Sequence, residues 1–172
     1  MASYWLSGTK SVLALDCEMV GVGEQGQYSK KFVKRSTNTI EYDILARVSI
    51  VDQNLNCVYD KYAKPTQPVT NYRTEFTGIR PRDIENGENF EKIQQEVADI
   101  LNGKILVGHS IEFDLEVLAL KHPAELIRDT ARYPPVTLNR DGKIYGLKDL
   151  ATNHLGISVK VSTTHIQYQA RR

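Results

Sequence analysis

Val12-Leu-Ala-Leu-Asp16-Cys-Glu18-Met-Val-Gly21 sets two acids two residues apart at the end of an apolar run. On an extended strand, residues i and i+2 point the same way. Asp16 and Glu18 therefore share one face, while Leu13, Leu15 and Cys17 share the other. The pattern predicts a first strand over 12–18. Two like charges side by side repel unless something neutralises them. A divalent cation does so, and hard carboxylate oxygens suit Mg²⁺ or Mn²⁺. A strand end carrying two solvated acids fits the same letters, so the spacing alone leaves both readings open.

The rest of the chain supplies a sheet for that strand. Ile44, Ala46, Val48 and Ile50 alternate through a strand over 43–51, and a further strand is expected over 56–63. The turn-rich Asp52-Gln-Asn-Leu-Asn56 joins them, giving an antiparallel meander with the first strand. Pro65 and Pro68 then break the pattern. Phe90, Ile93, Val97, Ile100 and Leu101 fall on one helical face, and Asn102-Gly103 is a stop signal. A short strand over 105–107, a helix over 114–120 ended by His122-Pro123, and a strand around 126–128 follow. Leu147, Leu150, Ala151 and Leu155 form a last helical stripe between Gly146 and Gly156. Strands first, then helix and strand in alternation, predict an α/β domain with a mixed sheet flanked by helices. One domain over 1–172 is expected.

Composition excludes several classes. Twenty-two Lys and Arg against 21 Asp and Glu give a net charge of +1, so overall charge does not mark a nucleic-acid binder. A local basic surface beside an acidic site would suffice. Cys17 and Cys57 fall in predicted strands and read as small buried apolar groups of a reducing compartment. The apolar run at Val12 is interrupted by acids, so it is not a secretory signal. A nuclear (including nucleolar) or cytoplasmic location is expected, with no membrane association. Residues 23–42 separate the first two strands and carry Lys30, Lys31, Lys34 and Arg35. A long polar hairpin or loop is one reading. A basic flap for substrate phosphates, interleaved with Tyr28 and Phe32, is the other.

A third acid, Asp114, follows the turn Val107-Gly-His109 and lies near the start of a predicted helix. Together with Asp16-Cys17-Glu18, this resembles the signatures of the DEDDh 3′–5′ exonucleases. Leu45-Ala-Arg-Val-Ser49, Tyr72-Arg-Thr74, Thr77-Gly-Ile79 and Arg128-Asp-Thr130 fall in order at suitable spacing. Within that family the chain is similar to the RNA exonuclease 4 branch and the interferon-stimulated 20 kDa exonuclease. The resemblance implies a ribonuclease-H-like fold, an RNA or single-stranded DNA substrate, a monomer, and a role in RNA processing. It implies a two-metal site of Mg²⁺ or Mn²⁺ with Asp16 bridging, Glu18 on the ion that holds the attacking water, and Asp114 supporting the second ion. It implies His165 as the group that accepts the water's proton, a role imidazole suits near neutral pH.

The family pattern ends with a fourth acid five residues after that histidine, around the start of a long helix. Here the position is Ala170, and Ile166-Gln-Tyr-Gln-Ala-Arg-Arg172 contains no acid. The expectation is a truncated C-terminal helix and an impaired metal site. A catalytically dead module binding nucleic acid or protein on the same fold is therefore the alternative. Substrate contacts implied more loosely are Met19 and Val20 against the terminal nucleotide, Arg73 on a phosphate or ribose hydroxyl, and His109 lining the pocket. Asp129 is expected to be structural, and His122 and His154 to have no role in the chemistry.

Overall fold

β1 (Val12–Val22) lies inside the sheet, antiparallel to β3 (Thr39–Asp52) and parallel to β6 (Ile105–Gly108). The structure is a computed structural model and describes residues 11–23, 25, 30–34, 39–134, 144–160 and 167–169. On its far edge β3 carries β2 (Lys30–Lys34) and β4 (Cys57–Tyr62), both antiparallel. β5 (Val69–Asn71) pairs with the end of β1, and β7 (Ile127–Asp129) runs parallel to β6. The described sheet has seven strands in the order β2-β3-β1-β6-β7, with β4 on β3 and β5 on β1. The expected antiparallel meander is β1, β3 and β4, and β2 forms a hairpin with β3 inside the 23–42 insertion.

Helices follow from local signals. α1 (Thr74–Thr77) and α2 (Pro81–Glu85) are single turns; Pro81 opens the second, where a missing N–H costs nothing. α3 (Phe90–Leu101) starts where the Asn89 side chain accepts the Glu91 N–H at 2.9 Å. Its Phe90, Ile93, Val97 and Leu101 are buried, the stripe that the periodicity predicts. α4 (Glu112–Val117) begins two residues before the predicted 114. α5 (Leu147–Leu155) ends at Gly156, whose φ of 66° favours glycine.

Two apolar clusters divide the sheet. Leu13, Leu15, Val48, Ile50 and Leu106 join Ile93, Val97 and Val117 in the larger one, with Cys17 and Met19 against it. Val20, Val22, Ile44 and Ala46 join Ile79 and Ile84 in the smaller one. Strand alternation puts Asp16, Glu18, Val20 and Val22 on one face of β1. Along that face the acids come first and the second core follows. A register shift between Glu18 and Met19 marks the change: Glu18 faces Arg47, while Met19 faces Leu45. The extra residue, Ala46, is a bulge in β3, and it lets Ile44 and Ala46 point into the small core while Arg47 remains beside the acids.

The sequence expectations need four corrections here. β1 runs on to Val22, because Val20 and Val22 have a second core to enter. β5 was hidden by its short length and flanking prolines. Cys57 is exposed rather than buried; Cys17 is half-buried. Gln167–Gln169 is a strand, β9, paired with β8 (Ser158–Lys160), where the start of a terminal helix was expected. Among the described residues no helix is long and apolar enough to cross a membrane.

Candidate functional site

The edge of β1 facing β6 is only partly occupied by strands. β6 pairs with Val12–Ala14 and β5 with Gly21 and Val22, and among the described residues no strand pairs with the stretch around Asp16, Cys17 and Glu18 between them. Asp114 fills this gap: its carboxylate accepts the Cys17 backbone N–H at 2.9 Å. A residue 97 positions away is thereby fixed at the peptide between the two strand acids.

The turn from β6 into α4 aims Asp114. Gly108 passes close to β1, and a Cβ there would lie 3.1 Å from the Leu15 carbonyl oxygen and 2.7 Å from Ile111 Cγ1. Ser110 then adopts a φ of 59°, an unusual backbone for a side chain-bearing residue. Asp129, at the end of β7, holds this turn by accepting the backbone N–H groups of Ser110 at 2.8 Å, Ile111 at 3.1 Å and Ala131 at 2.9 Å. Its expected structural role is thus visible. Asp114 follows in the first turn of α4 and is buried.

Charge is the dominant property of this corner. Burial, then the neighbouring Asp16 carboxylate, push Asp114 up to about 7. Burial, then Asp16, push Glu18 up to about 7 as well, against a lowering influence from Arg47. Asp16 is exposed as a whole residue, yet burial of its carboxyl lifts it from the ordinary value, with Arg47 and His109 pulling the other way. The Cys17 thiol is pushed up by burial and by the surrounding acids, so it stays protonated and unreactive. Asp16 thus disfavours ionisation of both Glu18 and Asp114, and a proton or a cation would relieve that repulsion.

The donor set fits a divalent ion in its chemistry: all oxygen, anionic, and borne on a rigid strand and a short helix. It is not a finished cage. Among the described residues no three His, Cys, Asp or Glu side chains are already gathered around one point. One Asp114 oxygen is engaged by the Cys17 N–H.

Other predicted residues separate clearly. His109 stands at the site, close enough to Asp16 to influence its charge. Its Nδ1 lies 3.0 Å from Thr130 Oγ1. That hydroxyl already donates to the Gly108 carbonyl at 2.9 Å, so Nδ1 is the donor in this contact. Met19 is half-buried against the large core. Val20 is fully buried in the small core, so its expected contact with a nucleotide is a correction: the strand face that exposes the acids is covered two residues later. Arg73 is pinned by Asp43 at 2.6 Å and Glu41 at 3.1 Å, and its backbone φ is 50°. It serves as an ion-pair clamp from the β5–α1 junction onto β3. His122 Nε2 donates to the Lys104 carbonyl at 3.0 Å, a structural contact.

The backbones of Lys30, Lys31 and Lys34 lie in β2. Arg35, His165 and Ala170 lie outside the described residues. Arg47 was not apparent from sequence, because only the bulge at Ala46 places it opposite Glu18.

The mixed sheet, in the order β2-β3-β1-β6-β7 with β4 on β3 and helices against it, has a ribonuclease-H-like fold. The chain belongs to the exonuclease (RNase_T) family, whose model matches residues 13–131. It is similar to RNA exonuclease 4 of Mus musculus, with 48% identity over 153 residues, covering 89% of this chain and 32% of that protein. RNA exonuclease 4 of Homo sapiens is 47% identical over 153 residues, with 89% and 33% covered. The chain thus spans about a third of the length of the curated relatives it matches. Its fold is similar to the Saccharomyces cerevisiae Pan2 pseudoubiquitin hydrolase-RNA exonuclease module in complex with AAGGA RNA. The TM-score is 0.70 at 20% identity, covering 96% of this chain and 28% of that one. The Neurospora crassa Pan2 catalytic unit gives 0.66 at 18%, with 95% and 26% covered.

Proposed function

We propose that this chain is the nuclease domain of a metal-dependent 3′–5′ exonuclease acting on RNA in RNA processing. The anchoring of Asp114 on the Cys17 N–H, between Asp16 and Glu18 at the open edge of β1, is the observation that carries the reading. Family membership and the relatives named RNA exonuclease 4 support it. Asp16, Glu18 and Asp114 would hold Mg²⁺ or Mn²⁺, which when bound supplies an activated water and stabilises the leaving oxygen. The chain's own residues prepare for this. Asp129 fixes the turn that carries Asp114, and the Cys17 N–H orients its carboxylate. Arg47 and His109 moderate the negative field that an incoming phosphate must cross. His165 is proposed to accept the proton of the attacking water, and the β2 hairpin with its lysines to meet the substrate strand. A monomer in the nucleus or cytoplasm is proposed with it.

Ala170, at the place of the expected fourth acid, favours a second reading: a weakly active or inactive module that still binds nucleic acid. Single-stranded RNA labelled at its 5′ end, incubated with the chain and Mn²⁺ and resolved on a gel, separates them. A slow one-nucleotide ladder that Asp16→Ala abolishes supports the exonuclease. RNA binding without any cleavage supports the second reading. Internal fragments, or a ladder that survives Asp16→Ala, contradict both.

A further inference from the structure

We propose that Arg47 is a substrate-positioning residue that takes a backbone phosphate of the nucleic-acid strand entering the acid site. The inference rests on the nuclease reading above and assigns that site a phosphate contact. Arg47 is the cross-strand partner of Glu18, and such partners hold their Cβ atoms about 5 Å apart. Its guanidinium does not turn its fork to Glu18. Nε donates to Asp60 Oδ1 and Nη2 to Asp60 Oδ2, both at 2.7 Å. Ser49 Oγ donates to the same carboxylate at 3.1 Å, and the Tyr62 ring centre lies 5.3 Å from the guanidinium carbon. The cation is therefore held rigidly by β4 while part of its side chain, 16%, stays open to solvent.

An arginine has five N–H donors, and the Asp60 pair uses two. Among the described residues no other acceptor takes a hydrogen bond from its remaining donors, which suit a partner that arrives from outside. A polyanion approaching three carboxylates needs a fixed cation beside them, and a planar guanidinium suits phosphate oxygens. Arg47 already acts on both Asp16 and Glu18. The plainer role would be a staple between β3 and β4, since Ser49 faces Asp60 and Arg47 faces Tyr62 in register. A staple predicts lost stability on removal and no change in how binding depends on salt.

The test is fluorescence anisotropy of 5′-fluorescein single-stranded RNA with EDTA, over about 50 to 200 mM salt. The unmodified chain, Arg47→Gln and Arg47→Lys are compared, with thermal denaturation of each. Arg47→Gln should bind about tenfold more weakly, the loss of one charged hydrogen-bonded contact. Its slope of log affinity against log salt should flatten by about 0.7. Arg47→Lys should keep the slope. A folded Arg47→Gln with unchanged slope and affinity overturns the assignment of Arg47 alone. Absence of RNA binding by the unmodified chain overturns it together with the nuclease reading. If Arg47→Gln unfolds, the Arg47 Nε resonance of the unmodified chain is followed by NMR, assigned by its loss in Arg47→Lys. It should shift when RNA is added, and an unmoved resonance refutes the contact.

Discussion

Asp114→Asn should make the metal-free protein more stable above pH 7, although it removes a site carboxylate. Asp114 is buried and its carboxyl is raised from an ordinary 3.8 to about 7. A carboxyl raised on folding binds its proton more tightly in the native state. Its stabilising contribution is complete below pH 4 and is lost as pH climbs through about 7. A shift of that size corresponds to at most ~4 kcal/mol at pH 8. Asp16 shares the repulsion, and the new amide N–H₂ needs a partner of its own, so the expected gain is ~2 kcal/mol. The Cys17 N–H keeps an acceptor in the amide oxygen. Urea unfolding in EDTA, run from pH 4 to 8, should show the difference growing from about zero to that value. An Asp114→Asn protein equally or less stable at pH 8, or a difference independent of pH, would refute a site under electrostatic strain.

Arg73→Ala leaves the buried Asp43 without its counter-charge and should cost ~3 kcal/mol in urea unfolding. Gly108→Ala forces a methyl against Ile111 and the Leu15 carbonyl; ~2 kcal/mol of lost stability and weaker Mn²⁺ binding should follow, since α4 would be pushed off β1. Replacing Lys30, Lys31, Lys34 and Arg35 with Ser should flatten the salt slope of RNA binding by up to about 3, measured by anisotropy; an unchanged slope makes the hairpin a plain insertion. Ala170→Asp alone should restore RNA trimming in the gel assay only in part, and the same acid carried on a full C-terminal helix should restore more, up to the roughly 10–100-fold scale on which metal-site groups act.

The sequence revealed the acids because strand alternation needs only two residues to show a shared face, and Asp16 and Glu18 provide them. Asp114 became legible through its place after Val107-Gly108-His109, a strand end and turn that must bring the next helix back to the sheet. Long periodic elements such as α3 were equally plain, since Phe90, Ile93, Val97 and Leu101 define one stripe. What stayed hidden depends on contacts between distant segments. Val20 reads as a continuation of the site until Ile79 and Ile84, from segments too short to carry a period, are seen to cover it. Arg73 reads as a free cation until Glu41 and Asp43 arrive on β3. Arg47 needs the Ala46 bulge, and a one-residue irregularity leaves no trace in composition or periodicity.

Calorimetric titration of Mn²⁺ into the unmodified chain, Asp16→Ala and Asp114→Asn, at pH 6 and pH 8, tests the three-acid site most directly. Weak saturable binding is predicted for the unmodified chain. It should strengthen from pH 6 to 8, as Glu18 and Asp114 lose protons around 7, and should vanish in Asp16→Ala and weaken at least ~10-fold in Asp114→Asn. Binding of equal strength in all three proteins, or stronger binding at pH 6, would contradict the account.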